Sequence, residues 1–149
     1  MTEPLTIRAL EAKDEADWRR LWRAYLDFYE TELPEEVYAA TFARILSGAP
    51  GEYRGLIALA GGKPVGLTHY LFHRSCWSVP DTCYLQDLYA VPEVRGTGVG
   101  RALIEAVYAA ADAHGAASVY WMTQDFNHTA RRLYDRIGVK TPFIEYNRP

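Results

Sequence analysis

The 149-residue chain is 49% hydrophobic and 23% charged, and its formal net charge at pH 7 is −3. A chain of this length buries about 70% of its unfolded surface, so one globular domain over residues 1–149 is expected. No apolar run approaches the roughly 20 residues that a membrane helix needs, and the acidic charge balance argues against general nucleic-acid binding. We therefore expect neither a membrane nor a nucleic acid as a partner.

The first residues and the cysteines indicate the compartment. Residues 1–4 lack the basic and apolar character of a secretory signal, so we expect a cytoplasmic protein. Cys76 and Cys83 flank a short loop that a disulfide would close under oxidising conditions, but the expected compartment favours reduced thiols. The histidines show no zinc-like spacing with either cysteine, and we expect no metal.

The first third of the chain predicts one strand and two helices. Residues 5–10 alternate between apolar and polar side chains, as a half-buried strand does. Residues 14–29 carry large apolar side chains at helical spacing after Asp14, which is a good N-cap residue. A second helix is predicted from Pro34 to the glycine at position 48.

The middle of the chain predicts a hairpin followed by a strand, a glycine loop and a helix. Two β-like runs, 53–60 and 64–74, are joined by a turn that contains two glycines. Residues 83–92 form an aromatic and branched run that ends at a proline. Beyond the glycines, apolar residues repeat at helical spacing as far as Gly115, which suits the end of a helix.

The last third predicts a strand at 117–122, a helix at 127–137 and a short strand at 143–146. Strands and helices therefore alternate in the second half, whereas the first half contains a hairpin. This order indicates a mixed α/β fold.

The glycines between the central strand and the third helix favour an anion site. The first N–H groups of a helix have no partner within it and the helix dipole is positive there, while Gly96, Gly98 and Gly100 leave room for phosphate oxygens. A P-loop would need Gly-Lys-Ser/Thr, but Val99 and Arg101 follow the last two glycines. A Rossmann fingerprint needs another spacing and a later acidic residue. A helix start that merely tolerates glycine is the remaining alternative.

Residues 95–100, Arg-Gly-Thr-Gly-Val-Gly, resemble the Q/R-x-x-G-x-G/A loop of the GNAT superfamily of acetyl-CoA-dependent N-acetyltransferases. Residues 127–134 resemble the N-x-x-A-x-x-x-Y segment of that family. Residues 84–89 and 118–121 are similar to the branch that contains diamine acetyltransferases and the fungal histone, polyamine and D-amino-acid acetyltransferases. The likeness covers about two thirds of the chain strongly and the N-terminal third in outline.

The resemblance implies a GNAT-like fold, with a central mixed sheet, a splayed parallel strand pair and flanking helices, and acetyl-CoA as cosubstrate. The splay leaves backbone groups for the pantetheine arm to bind, and a family bulge precedes the loop. The implied cofactor-binding residues are Leu88, Tyr89, Ala90, Arg95, Gly96, Thr97, Gly98, Val99, Gly100, Arg101, Asn127 and Tyr134.

The resemblance also implies acetyl transfer to an amine, with Tyr134 as the proton donor for the departing thiolate. Diamine acetyltransferases carry a glutamate base where this chain has Gln86, and glutamine cannot accept a proton. Asp87 is adjacent, but neighbouring strand residues point to opposite faces. The alternatives are a water relay through Gln86, or another acid or histidine such as His69.

In this fold the first two helices and the loop at 75–81 cover the acceptor end of the cleft. The implied acceptor residues are Tyr25, Phe28, Tyr29 and Glu32, and the acidic residues near Glu32 would attract a polyamine or a lysine-rich peptide. The alternative for those acidic residues is an ordinary solvated helix start.

The expected function is acetyl transfer from acetyl-CoA to a primary amine of a small molecule, an amino acid or a polyamine, by direct attack in a ternary complex. Two alternatives remain, a protein or peptide lysine acetyltransferase and a non-catalytic acetyl-CoA-binding module. The short C-terminal strand and the habit of the family imply a homodimer.

Overall fold

The computed structural model describes residues 3–149, and its centre is a five-stranded sheet in the order β1-β2-β3-β4-β5. The strands are Leu5–Ala9 (β1), Arg54–Ala60 (β2), Lys63–His73 (β3), Thr82–Ala90 (β4) and Val119–Tyr120 (β5). Strands β1 to β4 pair antiparallel with their neighbours, and β5 runs parallel to β4. The predicted mixed α/β fold with a parallel strand pair is confirmed.

Four α-helices flank this sheet: Glu15–Phe28 (α1), Glu35–Ser47 (α2), Val99–His114 (α3) and His128–Ile137 (α4). Trp18 of α1 and Phe42 of α2 pack in one buried cluster with Leu67 of β3. Ile104 of α3 packs in another with Leu85 of β4. The sheet therefore has a layer of helix on each face, which explains why its central strands are almost continuously apolar.

A β-bulge in β4 decides which of its side chains face α1. His69 of β3 pairs with Asp87, whereas the next residue, Tyr70, pairs with Leu85. Gln86 is therefore the extra residue, and it is exposed. Because the bulge changes the alternation of the strand, Leu85 packs on the α3 side while Asp87 reaches the α1 side.

Strands β4 and β5 are paired over a short length only. Cys83 and Tyr84 pair with Val119 and Tyr120, and β4 then continues to Ala90 without β5 beside it. The predicted splayed pair is thus present, although β5 is shorter than the predicted strand at 117–122. The opening between the two strands begins beside the bulge.

Asp14 occupies the predicted N-cap position before α1, but its carboxylate binds elsewhere. Arg8 of β1 donates two hydrogen bonds to it, at 2.7 and 2.8 Å, and the backbone N–H of Glu11 donates a third at 2.8 Å. The side chain of Asp14 therefore links β1 to the start of α1 instead of capping the helix.

The predicted strand at 143–146 is wrong: no strand is assigned beyond β5 in the described residues. Phe143, Ile144 and Tyr146 are 77%, 77% and 87% exposed, and within the described residues their segment pairs neither with β5 nor with another strand. Among residues 3–149, no helix is both long and apolar enough to span a membrane. Cys76 is exposed, Cys83 is buried, and both are free thiols.

Candidate active site

The loop between β4 and α3 presents backbone N–H groups to an open surface. Gly96 and Gly98 have φ values of 81° and 95°, which an L side chain rarely adopts, and a Cβ on either would meet no atom within 4 Å. In the described chain, the N–H groups of Val99, Gly100 and Arg101 at the start of α3 donate no hydrogen bond. Unpaired N–H groups, the positive end of the helix dipole and free space together suit a phosphate group.

Two side chains of this loop are directed away from the free N–H groups. The Nε atom of Arg95 donates to the carbonyl oxygen of Ala90 at 3.1 Å, and the guanidinium lies 5.9 Å from the ring centroid of Phe28 and 5.8 Å from that of Tyr89. Thr97 donates its hydroxyl proton to the carbonyl oxygen of Val94. Arg95 therefore connects the loop to the end of α1, and the backbone N–H groups are the groups of this loop that remain available to an anion.

Arg101 and Asn127, which the sequence also places at the cofactor, make local contacts. Arg101 pairs with Glu105 one turn along α3, with 2.7 Å between Nε and Oε1. Asn127 is the N-cap of α4, and its side-chain oxygen accepts from the backbone N–H of Ala130 at 3.3 Å. By starting α4 at a fixed point, Asn127 determines where Tyr134 lies two turns later.

Tyr134 lies in a small cleft at the opening between β4 and β5. Its ring packs against Trp121, with 5.5 Å between ring centroids and an interplanar angle of 69°. Burial, reinforced by nearby Tyr29, raises the pKa of Tyr134 to about 12. The phenol therefore keeps its proton at neutral pH, which is the state that a proton donor requires.

The cleft has a volume of about 40 Å³ and brings together residues that the sequence assigned to different roles. Its lining includes Tyr25 of α1, Tyr29 directly after α1, Gln86 and Leu88 of β4, and Tyr134 of α4. Within the described chain its lining contains no lysine or arginine. Tyr25, Tyr29 and Tyr134 thus line one cleft together with Gln86 of the bulge.

Asp87 does not line the cleft but lies directly behind it, in a chain of buried hydrogen bonds. The hydroxyl of Tyr25 donates to Oδ1 of Asp87 at 2.8 Å, and Nδ1 of His69 lies 2.9 Å from Oδ2. The indole N–H of Trp18 donates to Nε2 of His69 at 2.9 Å. The sequence named Asp87, His69 and Tyr25 separately, but the pattern of large residues on α1 indicated only core packing for Trp18.

Glu32 lies apart from this cleft. It lines a larger cavity, of about 370 Å³, between α1 and α2, together with Arg19, Arg23 and Glu35. Arg19 donates to Glu35 at 2.8 Å, so one carboxylate of the predicted acidic group is already paired. The structure therefore separates Glu32 from Tyr25 and Tyr29, whereas Phe28 contacts Tyr29 edge-on at 5.1 Å.

In the part of the chain that the structure describes, no three His, Cys, Asp or Glu side chains are arranged to hold a metal ion. The site combines a glycine loop with unpaired N–H groups, a diverging strand pair and a cleft with a protonated phenol. This combination defines the class of acyl-CoA-dependent acyltransferases, in which the loop binds the phosphates and the diverging strand holds the acyl arm.

Comparison with known proteins agrees with that class. Residues 18–139 match the acetyltransferase (GNAT) family. The chain is 38% identical over 149 residues to the D-amino-acid N-acetyltransferase HPA3 of Saccharomyces cerevisiae, covering 99% of this chain and 92% of that protein. It is 35% identical to the thialysine N-epsilon-acetyltransferase of Bos taurus over 103 residues, 69% of this chain but 56% of the relative.

Among solved structures, the aminoglycoside acetyltransferase AAC(6')-Iy, in complex with a CoA-containing bisubstrate analogue, superposes with a TM-score of 0.85. It covers 98% of both chains at 19% identity, a likeness that establishes the fold alone. The family match and the full-length relative together show that this chain belongs to the GNAT family of acetyltransferases.

Proposed function

We propose that the chain transfers the acetyl group of acetyl-CoA to the primary amine of a small molecule. The observation that carries this proposal is the shared cleft, in which the protonated Tyr134 faces Tyr25 and Gln86 beside the open end of β4. The names of the D-amino-acid and thialysine relatives support a small amine, and thialysine resembles lysine with its amine on a side chain.

The loop and the strand supply binding and orientation. The N–H groups of Val99, Gly100 and Arg101 would bind the pyrophosphate of acetyl-CoA, and the free edge of β4 at Leu88 and Ala90 would pair with the pantetheine amides. Acetyl-CoA itself supplies an activated thioester carbonyl. When the pantetheine arm is held in place, it directs that carbonyl to the cleft. The amine then meets a thioester that is already oriented for attack.

Tyr134 donates its proton to the thiolate as the carbon–sulfur bond breaks. A phenol with a pKa of about 12 is fully protonated before the reaction. Gln86 is exposed on the bulge and offers an amide that orients the amine or a water molecule, but it cannot accept a proton. Tyr25, Phe28 and Tyr29 form the aromatic end of α1 against which the acceptor is proposed to bind.

We further propose that the enzyme works as a cytoplasmic homodimer, without a metal, nucleic-acid or membrane partner. The exposed thiol of Cys76 suits a reducing compartment. The exposed apolar residues Phe143, Ile144 and Tyr146 pair with no strand among residues 3–149, and a second copy would cover them. Light scattering of the whole chain and of a chain that ends at residue 142 tests this assignment, since the shorter chain should be monomeric.

An acetylation screen tests the function. Release of CoA thiol is measured with acetyl-CoA and a panel of D- and L-amino acids, thialysine, spermidine, kanamycin and a lysine peptide. We expect turnover with an amino acid or with thialysine. Selective turnover of the peptide would favour a protein acetyltransferase, and tight acetyl-CoA binding without turnover on any amine would identify a non-catalytic binding module.

A further inference from the structure

We propose that the Tyr25 hydroxyl accepts the proton that leaves the amine, that Asp87 is the final acceptor, and that His69 and Trp18 hold Asp87 in position. This inference rests on the proposed function and assigns its missing base. It gives a role to buried polar groups that the binding of acetyl-CoA does not use.

The hydrogen bonds define the protonation state of His69. Trp18 can only donate, so Nε2 of His69 must be the acceptor and carry no proton. The proton of a neutral imidazole then resides on Nδ1, which donates to Oδ2 of Asp87 at 2.9 Å. Trp18 thus selects the tautomer of His69, although it is 51 positions away in the chain.

Both carboxylate oxygens of Asp87 accept a hydrogen bond. Oδ2 accepts from His69, and Oδ1 accepts from the hydroxyl of Tyr25 at 2.8 Å. In the described residues no lysine or arginine pairs with it, and its side chain is only 10% exposed. With two accepted hydrogen bonds and no paired cation in the described chain, Asp87 is the acceptor at the buried end of this chain of hydrogen bonds.

Tyr25 connects that charge to the cleft. Its hydroxyl proton is directed to Asp87, so the phenol oxygen can act as an acceptor on the side of the cleft, where the Tyr29 hydroxyl lies beside it. Burial and the charge of Asp87 raise the pKa of Tyr25 well above its usual value, so the phenol does not ionise by itself. Tyr25 can therefore transfer a proton only by accepting one proton while it donates another.

An amine that enters as a cation first releases its extra proton to solvent. The neutral amine then attacks the thioester carbon, and as the carbon–nitrogen bond forms its N–H proton moves to the oxygen of Tyr25. The original hydroxyl proton of Tyr25 moves at the same time to Oδ1 of Asp87. The carbon–sulfur bond then breaks, and sulfur takes the proton of Tyr134. After the products leave, Asp87 returns its proton to solvent through Tyr25, and Tyr134 regains one.

The bulge makes this arrangement possible. A regular strand would place Asp87 on the same face as Leu85, against α3, and its carboxylate would have no route to Tyr25. The extra residue at Gln86 turns Asp87 to the α1 side instead. The same bulge therefore exposes Gln86 in the cleft and places an acid behind it.

Tyr25→Phe is the principal variant because it removes the hydroxyl and keeps the ring stacked on Trp22 at 4.8 Å. We expect kcat to fall about 10²-fold, with acetyl-CoA affinity unchanged. The probe is whichever panel amine the wild type turns over best. Tyr70→Phe is the matched control, since Tyr70 is a buried tyrosine beside His69 that packs on the α3 side.

A double-variant cycle separates the relay from a structural role. Asp87→Asn should lower kcat by a similar factor, and Tyr25→Phe with Asp87→Asn should lose no more than either single change, because the two groups move one proton. Independent structural contributions would instead multiply. Multiplying losses, or a Tyr25→Phe enzyme with normal kcat, would overturn the assignment.

Rescue at His69 tests the positioning residues. His69→Ala removes the donor to Asp87, whereas His69→Asn places an amide N–H near the position of Nδ1. We expect kcat of His69→Asn to exceed that of His69→Ala at similar thermal stability, and equal kcat values would contradict the role of His69. Absence of wild-type turnover on every panel amine would reject the proposed function itself, whereas an active wild type with unaffected variants rejects only the relay.

Discussion

The rings of Tyr134 and Trp121 make a T-shaped contact, with 5.5 Å between their centroids, and both line the cleft. Because Trp121 fixes the ring, removal of the hydroxyl should not change its position. Tyr134→Phe should therefore lower kcat by roughly 10²–10⁴-fold and leave acetyl-CoA affinity and thermal stability nearly unchanged. Steady-state kinetics, calorimetry and thermal unfolding check these three quantities.

Tyr108→Phe is the control for this prediction. Tyr108 also packs near Trp121, at 6.2 Å, but its hydroxyl donates to the carbonyl oxygen of Ile137 rather than facing the cleft. It should lose stability and keep its kcat. Near-normal turnover of Tyr134→Phe would return Tyr134 to the role of a packing residue.

Substitution in the glycine loop should abolish acetyl-CoA binding. Gly98→Asp places a carboxylate where the pyrophosphate is expected, at a φ of 95° that aspartate adopts with strain. Gly62→Asp is a matched control, because Gly62 has a φ of 82°, open space around its Cβ position and a place in the β2–β3 turn. Calorimetric titration should show loss of binding for Gly98→Asp only.

Equal acetyl-CoA affinity of the two loop variants, both folded, would remove the phosphate assignment of this loop. Equal loss in both would instead indicate that strain at a positive φ, and not the added charge, disturbs the protein.

The ion pair between Arg8 and Asp14 should make stability depend on pH. Hydrogen bonds from Arg8 hold the pKa of Asp14 below its ordinary value despite burial. Because the pKa of Asp14 is lower in the folded protein than in the unfolded chain, the ion pair stabilises the fold fully at pH values above the unfolded-state pKa of about 4. This contribution to stability is lost as the pH falls through the folded-state pKa. Asp14→Asn should therefore cost about 1–3 kcal/mol at pH 7 and progressively less below pH 4.

Urea unfolding at pH 7 and at pH 3 measures that difference. Asp17→Asn serves as the control, since Asp17 is 48% exposed and lies 3.7 Å from an equally exposed Arg20. It should change stability by less than about 0.5 kcal/mol. A cost for Asp14→Asn that does not vary with pH would show that lost packing, and not charge, is responsible.

Short spacings along the chain predicted a glycine loop before α3 and a helix that carries Tyr134, and the structure has both elements. The hydrogen-bonded group of Tyr25, Asp87 and His69 could not be predicted in this way. Tyr25 and Asp87 are 62 positions apart, His69 and Asp87 are 18 apart, and the bulge that aligns them follows from the pairing of β3 with β4. The segment at 143–146 is rich in residues that favour strands, but that composition does not supply the partner strand that pairing requires.

The acidic residues near the start of α2 should have little effect on the choice of acceptor. Glu32 and Glu35 line the cavity between α1 and α2, where Arg19 and Arg23 also lie, whereas the cleft contains Tyr134. Glu32→Lys with Glu35→Lys should therefore change the KM of an amino-acid acceptor little, because the cavity is already partly neutralised and charges beyond about 10 Å are screened by salt. The kcat should not change.

The KM for spermidine, measured at low and high salt, tests the opposite possibility. If Glu32 and Glu35 recruit a polycation, the double variant would raise that KM strongly, flatten its salt dependence and leave kcat intact. That result would favour a polyamine or basic-peptide substrate over an amino acid.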